Sequence, residues 1–446
     1  AIKEDPAKGI KDAVILEDRT ILKNTYVERV LRVRVLSEAG RKALELDAFS
    51  PECYDFNGRT VYPDGKTLKF DKRQDFKQEI FEAGDFTQKR TVVIPPGVSG
   101  NCVVELRWLE STAEFYGSRT PLPARMGYDA LFRFGGGYHT LLETVEVPMP
   151  FAWTYIPISG RTQNFEINER SGFRIISAQN LAAIEMPPFS LPVSLDRPVL
   201  SMFFQPKQTA RAAKESEKDF WDMVGKAIWK DDFESEVKKG RSYEALRGKL
   251  FHGISSVDPL VFSGKLLSDL EKEIINVSHL THEESAKWPK DLKTPESRDL
   301  ATISDKKVAT GRGMTVLLYH LLKDAGFHPK VAYLADRDVR LFRPAMTNPW
   351  QASHAVIAME TANKGIVILD PWQRFAAPGL IHPDFQGVQG ILFDPNADWA
   401  GQPFTVPIQP PAFNQRQFAY ALEVGEEENH FKLKAQFSGF PELAER

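Results

Sequence analysis

The sequence predicts a multidomain protein: an N-terminal antiparallel β-sandwich, an α+β core, and the start of a C-terminal β-unit. Three observations carry that prediction. Residues 13–205 hold many short strand-type runs parted by Pro and Gly turns, the pattern of a sandwich. From about residue 206 the apolar spacing changes to a helical period. Within this second region one buried helix precedes three strand-like runs, the order of an α+β core. The resulting boundaries are 1–205, 206–405 and 406–446.

The elements follow in chain order. AVILEDRT, YVERVLRVRVL, TVYPDGKTLKF, RTVVIPP and CVVELRWLE are the first strand-type runs. ETVEVPMP, FAWTYIPI, QNFEINE, GFRIISAQN and VLSMFF come after them. Leu31, Val33 and Val35 alternate with Arg32 and Arg34, the period of a half-buried strand. Pro63-Asp64-Gly65 reads as a turn between two runs. Gly135, Gly136 and Gly137 read as a turn, and Trp153, Tyr155, Phe203 and Phe204 as sandwich core. Beyond residue 206, Phe220, Val224, Ala227 and Ile228 fall on one helical stripe. Residues 263–277 predict a second helix, capped by Ser263. The stretch THEESAKWPKDLKTPESRD is polar, holds two prolines and reads as a loop.

In VATGRGMTVLLYHLLKDAGF, Met314, Leu317, Leu318, Leu321, Leu322 and Ala325 fit i, i+3, i+4, i+7, i+8 and i+11. That spacing predicts a buried helix, ended by Gly326. Strands are expected over 330–336, 353–360 and 366–372, and HFKLKAQFSGFPELAER looks like the first strands of another unit.

Composition narrows the function classes. The chain has 446 residues, a formal charge of −3, 42% hydrophobic and 26% charged residues. The near-neutral balance gives no reason to expect nucleic acid. No run approaches the ~18 apolar residues of a bilayer span. The chain begins AIKEDPAKG with neither an initiator methionine nor a charged-then-apolar leader, so either a processed protein or an excised piece is expected, with any export signal lost from view. Cys53 and Cys102 are the only cysteines, which excludes a thiolate zinc cluster. They read either as a disulfide or as two buried free thiols. His279 and His282 in HLTHEE lack a third ligand and read as solvated, and no cofactor is expected. Gly311-Arg312-Gly313 is not a phosphate loop, because GxxxxGK[ST] is absent.

Two polar residues stand out in the late strands. His354 opens one run and Asp370 closes the next. A three- or five-residue connection around residues 362–364 would put both on one face. An Asp beside a His is the orienting half of a catalytic triad. The N-terminus of a buried helix is the natural place for the nucleophile, since its dipole lowers a thiol pKa. On pattern alone, a core histidine and a turn carboxylate explain the same residues.

LLKDAGF (321–327), SHAVIA (353–358) and ILDPW (368–372) together resemble the transglutaminase-like branch of the papain-type fold. VYPDGKTLKF, VVIPPGVSGNCVVELRW and NLAAIEMPPF are similar to the uncharacterised β-domain that precedes this core in exported bacterial proteins. The tail from Lys432 is similar to the start of their third domain. The resemblance implies a periplasmic or extracellular setting, with His354 and Asp370 as triad members.

It also places the family's Gly-Asp-Cys on Ala309, Thr310 and Gly311. The nucleophile position is therefore a glycine, and no cysteine follows residue 102. What the resemblance then implies is an inactive cleft that binds a peptide, glycopeptide or protein partner. In it Gly311 opens room at the floor, and Arg312 and Thr310 hold a carboxylate or acyl group. The alternatives are a structural scaffold, or an enzyme with Thr310 or Thr315 as a poorer nucleophile.

Overall fold

The computed structural model describes residues 5, 10–23, 26–44, 53–71, 75–83, 86–93, 95–111, 128–148, 152–158, 165–184, 199–205, 216–234, 237–254, 258–280, 284, 287, 294–336, 342–345, 347–361, 365–424 and 429–439. The chain divides into two compact units that part at residues 211–212.

The first unit carries thirteen described strands: β1 (Ala13–Leu22), β2 (Tyr26–Val35), β3 (Cys53–Val61), β4 (Thr67–Lys69), β5 (Phe76–Ala83), β6 (Phe86–Val93), β7 (Cys102–Ser111), β8 (Tyr128–Arg133), β9 (His139–Pro148), β10 (Ala152–Ile158), β11 (Glu166–Arg170), β12 (Phe173–Leu181) and β13 (Val199–Gln205). Eight of them form one sheet in the order β11-β12-β9-β1-β2-β7-β3-β4. The smaller sheet has the order β10-β13-β8, and β5 pairs with β6. The wholly antiparallel arrangement expected from the sequence needs correction, because β1 and β9 run parallel. Strand-type alternation is the same in either direction, and this pair joins residues far apart in the chain.

The alternation in β2 does set its faces. Leu31, Val33 and Val35 lie opposite Leu106, Val104 and Cys102 of β7, and all six are buried. On the other face, Arg32 pairs with Glu105 and Arg107 with Glu28. A second cluster joins Leu22, Val145, Val147 and Ile176 of the large sheet to Phe132 and Leu200 of the small one, which gives two layers. The turn at Pro63-Asp64-Gly65 forms, with Tyr62 N–H donating to Lys66 O at 2.9 Å and Gly65 at φ +86°, a conformation glycine adopts without strain. The side chains of Trp153, Tyr155, Phe203 and Phe204 lie outside the described residues.

The β3–β7 register decides the cysteines. Cys53 lies opposite Glu110, eight positions along β7 from Cys102. At about 3.3 Å per strand residue that is ~26 Å, whereas a disulfide needs Cα atoms within ~7 Å. Both are free thiols.

In the second unit, α1 (Glu217–Ile228) is capped by Ser216 and buries Phe220, Trp221, Val224 and Ile228. Helix α2 (Arg241–His252) has no counterpart among the expected elements, since Tyr243, Leu246 and Leu250 are its only buried residues. Helix α3 runs Pro259–Glu273, and its cap is Asp258, whose carboxylate accepts from Leu260 and Val261 N–H. Ser263 is buried inside that helix. The Asp-Pro pair, with proline at the first helical position, is the start signal.

Helix α4 (Leu300–Lys306) leads to α5 (Gly311–Asp324). Gly326 follows α5 at φ +86°. Besides the predicted stripe, Thr315, Tyr319 and His320 of α5 are buried, so this helix is enclosed on several sides. Short strands β14 (Ile275–Asn276) and β15 (Val308–Ala309) pair in parallel and tie the exit of α3 to the entry of α5. Strands β16 (Lys330–Leu334), β17 (His354–Thr361), β18 (Gly365–Leu369), β19 (Gln389–Asp394) and β20 (Ala400–Thr405) form an antiparallel sheet in the order β18-β17-β16-β19-β20. The last two strands extend the three expected. A hairpin of β21 (Gln415–Val424) and β22 (Asn429–Ser438) closes the described chain.

Candidate functional site

His354 is the first residue of β17, and Asp370 immediately follows β18. Thr361 pairs with Gly365, leaving three residues in the connection. Ile357 pairs with Leu369, and this register puts His354, Val356 and Asp370 on one face. His354 Nε2 lies 2.9 Å from Asp370 Oδ2. A carboxylate accepts, so Nε2 is the donor and Nδ1 of the neutral ring carries the free lone pair. Asp370 is buried, and it also accepts the Trp372 N–H at 3.0 Å and the Gln373 side-chain amide at 3.3 Å. The imidazole stacks on Phe385 at 4.4 Å and 10°. Carboxylate and stack together fix the ring, as the orienting half of a triad requires.

The other half of the site is closed. Gly311 N–H donates to Ser278 Oγ at 2.9 Å. Gly313 N–H donates to Thr310 Oγ1 at 3.1 Å, and Met314 N–H to Thr310 O at 2.9 Å. Two orphan amides at the start of α5 are thus capped within the fold, each such cap being worth about 1 kcal/mol, and the third makes the first helical bond. A Cβ added to Gly311 would fall 2.4 Å from Trp372 Cδ2 and 2.5 Å from Cε3. The room expected above Gly311 is therefore filled by an indole. That ring is held by its Nε1–H, which reaches Thr315 Oγ1 at 3.1 Å and the Ala355 carbonyl at 3.0 Å.

The remaining site residues face inward. Thr310 is the N-cap of α5. Arg312 forms an ion pair with Asp232, both side chains being mostly buried. Thr315 Oγ1 donates toward the Gly311 and Ala355 carbonyls and accepts from Trp372. Neither threonine hydroxyl hydrogen-bonds His354, the first requirement of an activated nucleophile.

Sequence reasoning missed the residues that hold the Trp372 strap. Asn276 Nδ2 donates to Pro371 O at 3.1 Å, and His279 Nε2 donates to Trp372 O at 2.7 Å. Burial lowers the His279 pKa and favours the neutral ring. The solvated setting expected for this histidine is corrected accordingly, while His282 lies outside the described residues. The aromatic residue after Asp-Pro in ILDPW was a signal for the plug; nothing in HLTHEE marks His279 as a tether. Among the described residues no three His, Cys, Asp or Glu side chains converge to hold a metal ion. No helix among them is long and apolar enough to cross a membrane.

No family model and no curated protein matches the chain. Among solved structures it is similar to a protein from Parabacteroides distasonis described as a candidate protease. The TM-score is 0.53 at 12% identity, over 90% of this chain and 72% of that one. At this identity the likeness is one of fold. Two structures of leukotriene A4 hydrolase from Saccharomyces cerevisiae match with TM-scores of 0.22 and 0.21, at 9% and 8% identity. They cover 40% and 43% of this chain and 30% and 29% of theirs, and carry no argument about it. The architecture is that of a multidomain, mixed α/β protein with large β-sheets and few helices.

Proposed function

We propose that the second unit is a transglutaminase-like, papain-type domain that no longer catalyses acyl transfer and works by binding. Its ligand is a peptide or glycopeptide lying along the rim of the former cleft, where His354 and Phe385 stack. The observation that carries this reading is the Trp372 indole in the space a side chain at position 311 would need. An imidazole with an orienting carboxylate and no nucleophile beside it supplies no covalent acyl intermediate. The periplasmic or extracellular setting belongs to the same proposal and rests on the resemblance of the N-terminal β-domain.

The inward engagement of Thr310 and Arg312 favours a second reading, a structural scaffold, because neither faces a ligand. Titration of the whole chain with cell-wall glycopeptides and protein-tail peptides separates the two. Saturable binding weakened by Phe385→Ala supports the binding role, and pull-down partners indifferent to changes at Phe385, His354 and Arg312 support the scaffold. Turnover of an acyl substrate by the unaltered protein would overturn both.

A further inference from the structure

A cleft of about 590 Å3 lies beside the strap that carries Trp372, within the ~300–1,000 Å3 typical of small-molecule sites. It is formed by the last turns of α3, the segment 274–280, Glu284, Lys287 and residues 374–375. Ile275, Leu280 and Phe375 give it an apolar wall, and Ile275 is half exposed. Phe375 sits at φ +58°, a left-handed conformation that a bulky residue rarely adopts and that needs outside support. Glu271 supplies that support: its two carboxylate oxygens accept the Phe375 and Ala376 N–H groups at 3.1 and 3.3 Å.

The strap is thereby bent to present Arg374 at the cleft. Its guanidinium lies 5.2 Å from the Phe375 ring centroid and has no ion-pair partner among the described residues. The charges around it are already engaged. Glu271 holds the strap amides, and Lys272 is paired with Asp269 at 3.0 Å. His279, also in the wall, donates its Nε2 proton to Trp372 O. Glu284 and Lys287 complete the lining and each has a partner of its own, which leaves the Arg374 cation on a flat ring, facing an apolar wall.

We infer that this cleft is a second ligand site, which takes a carboxylate joined to an apolar body. Arg374 pairs with the carboxylate, and Ile275, Leu280 and Phe375 cover the apolar part. A peptide ending in an apolar residue and a free fatty acid share this chemistry. The inference stands on the cleft alone and does not depend on how the His354–Asp370 pair is used.

Calorimetric titration of the whole chain with N-acetyl-leucyl-phenylalanine, its C-terminal amide, and decanoate tests it. Either acid should bind saturably, and the tighter of the two identifies the source. If it is the peptide, its amide should bind roughly tenfold more weakly or worse, the scale of one charge-assisted bond. Arg374→Gln should abolish the preference for the acid, and Arg374→Lys should retain part of it. Because Arg374 is exposed, these variants fold. Ile275→Ser should weaken whichever acid binds. Saturation by neither acid, equal affinity for peptide acid and amide with no binding of decanoate, or acid binding unchanged in Arg374→Gln would overturn the inference.

Discussion

The two ends of the candidate site differ. At the base end, His354 and Asp370 keep a 2.9 Å hydrogen bond, a buried carboxylate and a stacked ring. At the nucleophile end, a glycine lies under an indole and the helix amides are capped by Ser278 and Thr310. The difference follows from what each residue does besides chemistry. Asp370 also holds the Trp372 backbone and the Gln373 side chain, so removing it leaves part-buried donors without an acceptor. A side chain at the start of α5 has no such duty, and an indole fills the same space. A His–Asp pair is therefore weak testimony for activity, because the fold uses it either way.

The largest expected effect breaks the base end. Asp370→Ala should lower stability in urea by about 3 kcal/mol, the cost of stranding three part-buried donors. Asp370→Asn keeps an acceptor for the Trp372 N–H and should lose less. A loss below about 1 kcal/mol for Asp370→Ala would remove the structural reason for the pair.

The far half of α5 gives a comparison of similar size. Burial pushes the His320 pKa down to about 4, below the ~6.5 of an unfolded histidine. Between these values the unfolded chain binds more protons, so stability is full above pH 6.5 and falls as the pH drops toward 4. The shift amounts to roughly 3 kcal/mol. Urea unfolding from pH 7 to 4.5 should show the fall, and His320→Gln should blunt it.

A smaller effect sharpens the nucleophile end through its sign. Gly→Ala inside a helix normally stabilises by about 0.5–1 kcal/mol. Gly311→Ala should instead destabilise by about 1–3 kcal/mol, the scale of overpacking, because its Cβ meets the indole. In a Trp372→Ala background the same change should become neutral or stabilising, a coupling that a double-mutant cycle reads directly. The smallest expected effect is none: a reducing agent should leave the melting temperature unchanged, since Cys53 and Cys102 are free.

Local pattern revealed the elements and not their pairing. The period of α5 and the alternation of β2 are local properties, and both segments fold as their spacing requires. The parallel β1–β9 partnership depends on which strand lies beside which, and nothing in either run encodes that. Helix α2 escaped notice because its three buried residues are diluted by charge. For the site, the sequence made the shared face of His354 and Asp370 depend on the hairpin length, and the three-residue connection that puts them there is seen only in the strand register. The Trp372 plug was harder to see. A glycine in sequence looks like vacated space, and only the path of the strap after Asp370 shows what occupies it.

The central claim is that Trp372 stands where a nucleophile would. Labelling at position 311 by an iodoacetamide probe, mapped by peptide mass spectrometry, tests it in Gly311→Cys and in Gly311→Cys/Trp372→Ala. The account predicts an unlabelled single variant. It predicts a reactive double variant whose labelling slows when His354→Ala is added. Equal labelling of the single and double variants would contradict it.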